Sequence, residues 1–302
     1  MTAADPAEIL DLAPELRMAS YAFREEYGQP AAVIGRVPGQ VSLLASGPMR
    51  LTVATPWGVI AAAGPRDDDA IEVARMQRPG QRDRLTVSDA VAGLGPRWTG
   101  AGLRSARVGS SLLISSELPE GSGVGASAAI ETAIARCLGD RETAGHEVPA
   151  APCAMLAGLP LPFDLATAGL RLLIIDTGVR DAAGVPRAEA SPVAAAARAL
   201  ESGDLTAFGR LLTVAHQALA SHEAQHAAVT AAMRAGALGA RAITDRPGRP
   251  ACALVPADRL ADVRAAVRAR FARSGFRAPR FLTFTPPPQS RMAWHDGSRL
   301  TG

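Results

Sequence analysis

The chain has 302 residues, all 32 of its Lys-plus-Arg positions are arginine, and it contains neither lysine nor asparagine. The missing lysine excludes a Walker-type phosphate loop and Schiff-base chemistry, and the missing asparagine excludes a Cys-His-Asn triad. The length suits about two domains with substantial cores, and 48% hydrophobic against 20% charged residues excludes a disordered chain. A net charge of +3 and 4% aromatic residues provide no basic, aromatic-studded surface, so no nucleic-acid partner is expected. Cys137, Cys153 and Cys252 are too widely spaced for a disulfide framework or a zinc site. The acidic start lacks a basic-then-apolar leader and no apolar run reaches membrane-spanning length, which makes a cytoplasmic protein without a membrane partner the expectation.

Along the chain, residues 6–26 predict an amphipathic helix with Ile9, Leu10, Leu12, Leu16 and Met18 on its apolar side. Residues 31–63 break into four short β runs punctuated by glycine and proline, and 66–89 predict an exposed hairpin. Residues 111–119 form a strand entering a glycine-rich turn, followed by a helix over 126–138. The stretch 139–164, rich in Pro, Ala and Gly, reads as loose. After it come a buried strand at 170–178, helices at 188–202 and 204–236, and a hairpin around the turn Asp245-Arg-Pro-Gly-Arg-Pro250. An amphipathic helix and a strand ending near Thr285 complete the pattern, with a frayed tail from Pro286. The second half is thus an α+β unit of ferredoxin-like type with an extra helix.

The turn Pro119-Glu-Gly-Ser-Gly-Val-Gly-Ala-Ser-Ala-Ala129 leaves a strand and enters a helix. Glycines let backbone N–H groups converge and the helix N-terminus adds partial positive charge, which makes an anion cradle that needs no lysine. The plain alternative is a tight strand-to-helix turn. This segment resembles the second motif of the GHMP kinase family, and of galactokinases in particular. The resemblance extends over residues 24–44, 145–180, 203–219 and 236–260, in order. It implies an α+β, two-domain GHMP-kinase-like fold: a ribosomal-S5-like N-terminal domain over 1–168 and a ferredoxin-like C-terminal domain over 169–302. It also implies a cleft between them, ATP with Mg as cofactors, and Pro119, Gly121, Ser122, Gly123, Gly125 and Ser127 as the cofactor-binding loop.

The remaining positions depart from the family. Gln40 stands where galactokinases carry an assisting Arg, Ser42 where they carry Asn, and Ser46-Gly-Pro-Met-Arg50 replaces the run that holds the sugar. The segment bearing the catalytic Asp looks deleted between Leu138 and Gly145, and Arg246 and Arg249 sit in an altered third glycine motif. Gln40, Ser42, Ser46 and Arg246 are therefore candidate substrate contacts in a site that no longer fits galactose. Asp176 and Arg180, at the end of a strand similar to the family's, and His216, at a family Ser-His position, are the candidate catalytic residues.

Ser221-His-Glu-Ala-Gln-His226 contains a literal His-Glu-x-x-His, which on one helix would place His222 and His226 on one face and Glu223 beside them as a metal site. So short a pattern arises readily by chance, no longer zinc motif follows, and zinc is not expected. Three functional readings result: a galactokinase-like protein that has lost galactokinase chemistry and now binds or transforms another small molecule, an atypical ATP-dependent kinase for an alcohol or sugar, or a non-catalytic ligand sensor.

Overall fold

A computed structural model describes residues 13–86, 109–119, 122, 124–138, 152–180, 192–244, 249–287 and 294–296. The chain order is α1 (Pro14–Tyr27), β1 (Val33–Ser46), β2 (Met49–Pro65), β3 (Ala70–Arg75), β4 (Arg78–Thr86), β5 (Ser110–Ser116) and α2 (Ala126–Cys137). It continues with β6 (Cys153–Leu156), β7 (Leu159–Pro162), β8 (Leu170–Asp176), α3 (Val193–Glu201), α4 (Leu205–Gln217) and α5 (Glu223–Arg234). The last elements are β9 (Gly239–Ala242), β10 (Ala251–Pro256), α6 (Leu260–Arg273), β11 (Arg280–Phe284) and β12 (Trp294–Asp296). No helix among the described residues is long and apolar enough to cross a membrane.

Two sheets organise the chain, a mixed α and β architecture as expected. The first has the order β12-β1-β2-β5-β3-β4, with the β6–β7 hairpin attached to β2. The second has the order β11-β8-β10-β9, all neighbours antiparallel. Numbered along the chain its strands read 4-1-3-2, the ferredoxin-like pattern. The two sheets share one apolar core. It runs from Val41, Leu43 and Val59 through Ile130 and Ile134 of α2 to Leu172, Ile174, Phe208 and Leu254. At the seam Trp57 meets Phe284 edge-on at 5.6 Å, and Phe163 meets Phe208 at 5.4 Å. Burial of this apolar surface joins the halves.

Several expectations need correction. The first described helix starts at Pro14, buries Leu16, Ala19 and Phe23, and leaves Met18 exposed; residues 1–12 lie outside the described set. The four β runs are two long antiparallel strands, because the breaks at Pro38-Gly39 and Trp57 belong to one irregularity within the pair and are not turns. The 66–89 hairpin is only half exposed. β3 pairs in parallel with β5 inside the sheet and buries Ile71 and Val73, so its β-branched residues face a core. Residues 153–162 of the loose stretch form the β6–β7 hairpin around Ala157 and Gly158, both at positive φ. The prolines hid it: Pro160 and Pro162 lie on an edge strand, where the missing N–H costs no ladder bond. The helix proposed over 204–236 is two helices. Finally, Trp294–Asp296 of the supposed tail adds a strand to the free edge of β1.

The irregularities in β1 place the site. Between Pro38↔Gly58 and Gln40↔Ala54, the residues Thr55–Trp57 of β2 loop out opposite Gly39. A Cβ on Gly39 would lie 2.7 Å from both the Leu118 side chain and Thr55 Oγ1, and 2.9 Å from the Val124 carbonyl. Only glycine lets β1 pass beneath the segment that bears the glycine-rich turn. Leu43 is the second irregularity, an extra residue between Ser42↔Thr52 and Leu44↔Leu51. Gly39→Ala is expected to destabilise the protein by about 1–3 kcal/mol through overpacking, read as a lower urea midpoint with unchanged slope.

Candidate functional site

The glycine-rich turn follows β5, whose buried Leu112 and Ile114 anchor it, and ends at α2. Gly125 is the N-cap residue at φ 80°, a left-handed conformation that side chains resist, and its carbonyl accepts the N–H of Ala129. The first turn of α2 carries no acidic residue, so the helix end remains electropositive. Ser127 is exposed on that turn. Pro119 is half-buried at the strand exit. Ser122, by contrast, is fully buried and donates its hydroxyl to the Pro119 carbonyl at 2.7 Å, so it braces the turn and does not face a ligand. Gly121 and Gly123 lie outside the described residues.

A cavity of about 210 Å³ adjoins this turn, walled by Arg75, Arg78 and Gln77 and floored by Ile114, Leu118 and Ile130. Gln77 is held there by bonds from its amide to Ser115 Oγ and the Ser116 carbonyl, both 3.1 Å. One turn beyond Ser127, Glu131 is half-buried, and burial pushes its carboxyl above the ordinary value. Neither the cavity nor Glu131 was anticipated; the first depends on β3, whose place inside the sheet the sequence pattern did not disclose.

A second group of polar residues rings the neck of the β9–β10 turn. Arg241 is buried; its Nε donates to the Ala242 carbonyl at 2.9 Å and a terminal nitrogen to the Leu43 carbonyl at 2.9 Å. The second bond crosses between the sheets and uses the carbonyl at the bulge of β1. Gln225 of α5 is fully buried, and its amide nitrogen donates to the Ile243 carbonyl at 2.9 Å and the Pro250 carbonyl at 2.8 Å. It clamps both sides of the turn beside the last bond between them, Ile243 N–H to the Pro250 carbonyl at 2.9 Å, while its oxygen accepts the His222 N–H at 3.2 Å. Thr177 donates to the Arg249 carbonyl at 2.9 Å, and Arg249 itself adopts φ 44°. Arg246 lies outside the described residues.

The candidate catalytic residues occupy the same end of the second sheet. Ala251 pairs with both Ala242 and Ile175, which puts the His216 contact at Ala242 and Asp176 two strands apart. Asp176 is 2% exposed and held by Arg180 in a two-pronged ion pair with both oxygens at 2.8 Å; one oxygen also accepts the Gly178 N–H at 3.0 Å. Burial alone would raise its pKa. The Arg180 and Gly178 bonds and the charges of Arg180 and Arg280 outweigh that and hold the carboxyl below its ordinary value.

His216, also buried, accepts the Ala242 N–H at Nδ1, 3.3 Å, so Nε2 carries its proton and faces His226 Nδ1 at 3.3 Å. Burial, then the neighbouring His226 and Arg241, lower its pKa to about 4. The imidazole therefore stays neutral at neutral pH.

The His-Glu-x-x-His reading is corrected by the break in the helix. His222 is the N-cap of α5 and not part of it, and its Nδ1 accepts the Ala224 N–H at 3.1 Å in a reciprocal capping box with Gln225. A ring committed to the backbone before the helix begins does not share a face with His226 one turn on, and His226 is turned to His216 at Nδ1. Among the described residues no group of three or more His, Cys, Asp or Glu is placed to hold a metal ion. In the first-motif region Gln40 is exposed beside Gly39, Ser42 is buried and Ser46 half-buried.

No family model matches the chain. The galactokinase of Streptomyces coelicolor is 25% identical over 372 aligned positions, spanning 89% of this chain and 96% of that protein. The galactokinase of Mycobacterium tuberculosis is 40% identical over 88 residues, 28% of this chain and 24% of that protein. Among solved structures, Lactococcus lactis galactokinase complexed with galactose matches with a TM-score of 0.75 at 16% identity, covering 92% of this chain and 100% of that one. Leishmania major mevalonate kinase in complex with R-mevalonate matches at 0.57 and 19% identity, covering 85% of this chain and 96% of that one. The fold is that of the GHMP kinases. Within that class, the matches support a galactokinase-like assignment, although the Streptomyces alignment is 70 positions longer than this chain, so that relative carries segments with no counterpart here.

Two outcomes test these contacts. Gln225→Leu removes the donor to the buried Ile243 carbonyl, while the Pro250 carbonyl keeps the Ile243 N–H, and is expected to cost about 1 kcal/mol and to raise amide exchange at Ile243 and its neighbours. For His216 the unfolded ring binds a proton near the ordinary value of 6.5 while the folded ring waits until about 4. The unfolded state therefore holds more protons between these values, and the stability held above pH 6.5 is lost as the pH falls toward 4, by something on the order of 3 kcal/mol. Denaturation of wild type and His216→Gln at a series of pH values should show the wild-type advantage shrinking across that window.

Proposed function

We propose that this chain uses a galactokinase-like scaffold to bind a small molecule other than galactose, and that galactokinase chemistry has been lost. The observation that carries this reading is the contrast across Gly39. On one side the strand–turn–helix cradle is kept, with its left-handed N-cap glycine and the close approach that only Gly39 permits. On the other side the strand offers an exposed amide at Gln40, a buried hydroxyl at Ser42 and a turn without a carboxylate. A sugar needs paired polar groups, since each hydroxyl buried without a partner costs about 1–3 kcal/mol. Asp176 is the one buried carboxylate among the described residues, and it is engaged by Arg180 and the Gly178 N–H. We also assign the two domains to 1–168 and 169–302, with the strand Trp294–Asp296 crossing back to the first.

A second reading, an atypical ATP-dependent kinase, is favoured by the cavity beside the turn. Two guanidinium groups over an apolar floor suit a flat, anionic ligand such as a nucleotide. ATP would supply a transferable phosphoryl group there. The backbone up to Gly125 and the Ser127 hydroxyl would hold its phosphates, and Arg75 with Arg78 would orient the remainder. Phosphoryl transfer depends mainly on positioning and charge neutralisation, so the engagement of Asp176 by Arg180 does not exclude it.

A thermal-shift series with ATP–Mg, galactose and a panel of metabolites separates the readings. The leading proposal expects stabilisation by a metabolite other than galactose and no galactose phosphate formed with ATP. Formation of galactose phosphate would overturn it. The kinase reading requires a Mg-dependent shift with ATP that Ser127→Ala and Arg78→Ala each reduce, and no nucleotide shift would end it.

A further inference from the structure

A second cleft, of about 630 Å³, opens where the start of α5 lies against the end of α6. Its size is that of small-molecule sites. The antiparallel packing of these helices sets the charges: Glu223 occupies the first turn of α5 and Arg270 the last turn of α6, each complementing its own helix dipole. Both side chains line the cleft, both are exposed, and neither forms an ion pair among the described residues. Leu219 and Phe276 give the same cleft an apolar wall, and Ser221 adds a hydroxyl.

We propose that this cleft binds a zwitterionic α-amino acid with an apolar side chain, Arg270 taking its carboxylate, Glu223 its ammonium group, and Leu219 with Phe276 its side chain. Opposite charges held apart on one apolar-walled cleft match a ligand that carries both charges as substituents of one carbon and an apolar remainder. A simple anion would meet Glu223 and a simple amine would meet Arg270, each as a like charge that weakens binding. The site differs from the cradle at 119–129 and stands whatever that cradle binds.

The same cleft touches the neck of the β9–β10 turn. His226 lines it, and its Nδ1 meets His216, which in turn accepts the Ala242 N–H at the end of β9. Gln225, the neighbour of His226, clamps the carbonyls on both sides of that turn. An occupant of the cleft therefore lies against the helix turn that sets the geometry of the β9–β10 neck.

Isothermal titration of the full chain with leucine, phenylalanine and methionine tests the proposal, with isocaproate and isoamylamine as the analogues that lack one charge. The expected result is binding of at least one amino acid, with the analogues and the variants Glu223→Gln and Arg270→Gln each at least about tenfold weaker. Both substitutions fall on exposed side chains, and unliganded melting curves verify that the variants are folded. The His226 ring resonances should shift on titration. No binding of any of the three at millimolar concentration, equal binding of either analogue, or unchanged affinity in either variant would overturn it.

Discussion

A guanidinium buried at the seam of two sheets must have its N–H groups satisfied, because an ionised group taken from water without partners costs several kcal/mol. Arg241 heads the fully buried side chains of the described structure by size, and the architecture around it meets that demand. The bulge in β1 releases the Leu43 carbonyl from the ladder, and Arg241 takes it across 198 residues of sequence. The other fixed donor holds the carbonyl of Ala242, whose N–H goes to His216. A neutral His216 is the electrostatic counterpart of this arrangement, since a second cation beside Arg241 would add to the cost already incurred. In a chain without lysine the choice of cation is settled, and the planar fork suits the position. It reaches two carbonyls in different directions, which a single ammonium on a flexible stem does poorly.

That junction explains why the site is divided between elements distant in sequence. β1 contributes two departures from regular pairing four residues apart, and each serves a different partner. Gly39 admits the cradle from the first sheet, and Leu43 receives the second sheet. The strand is thus a spacer that sets the cradle and the β9–β10 neck against one another. Gln225 performs the corresponding role from the other side, bracing the neck at its last inter-strand bond.

Local patterns made much of the second half legible. The β9–β10 hairpin, the helix over 260–273 and the final core strand each follow from a short apolar period bounded by turn residues. The break between α4 and α5 was harder, because residues 218–222 hold neither glycine nor proline. The signal present is a capping box built on an unusual cap, His222 with Gln225 three residues on. Read as a metal motif, the same residues concealed the helix start. β6–β7 was lost to its prolines, and β3 to the reading of charged alternation as an exposed face, when its charges pair at the sheet margin: Glu72 accepts from Arg66 at 2.9 Å. For the site, the glycine turn was legible from composition, but the direction of Ser122 was not, nor the partners of Arg241 and Gln225. Those depend on which carbonyls a bulge or a strand end leaves within reach of a buried side chain, and no local window contains that information.

Asp176 shows how far chemistry can be inferred from identity alone. A carboxylate at the end of a buried strand, near the cleft expected from the fold, has the address of a general base. Its lone pairs, however, are directed at two guanidinium nitrogens and a backbone N–H, and the positive charges nearby make it a weaker base than an isolated carboxylate. To accept a proton it would have to surrender the Arg180 pair, leaving a buried acid and a half-exposed cation each without its partner. Its geometry is that of a brace fixing the segment 177–180 against Arg249 and β11. A reaction that used Asp176 as its base would first have to break that brace.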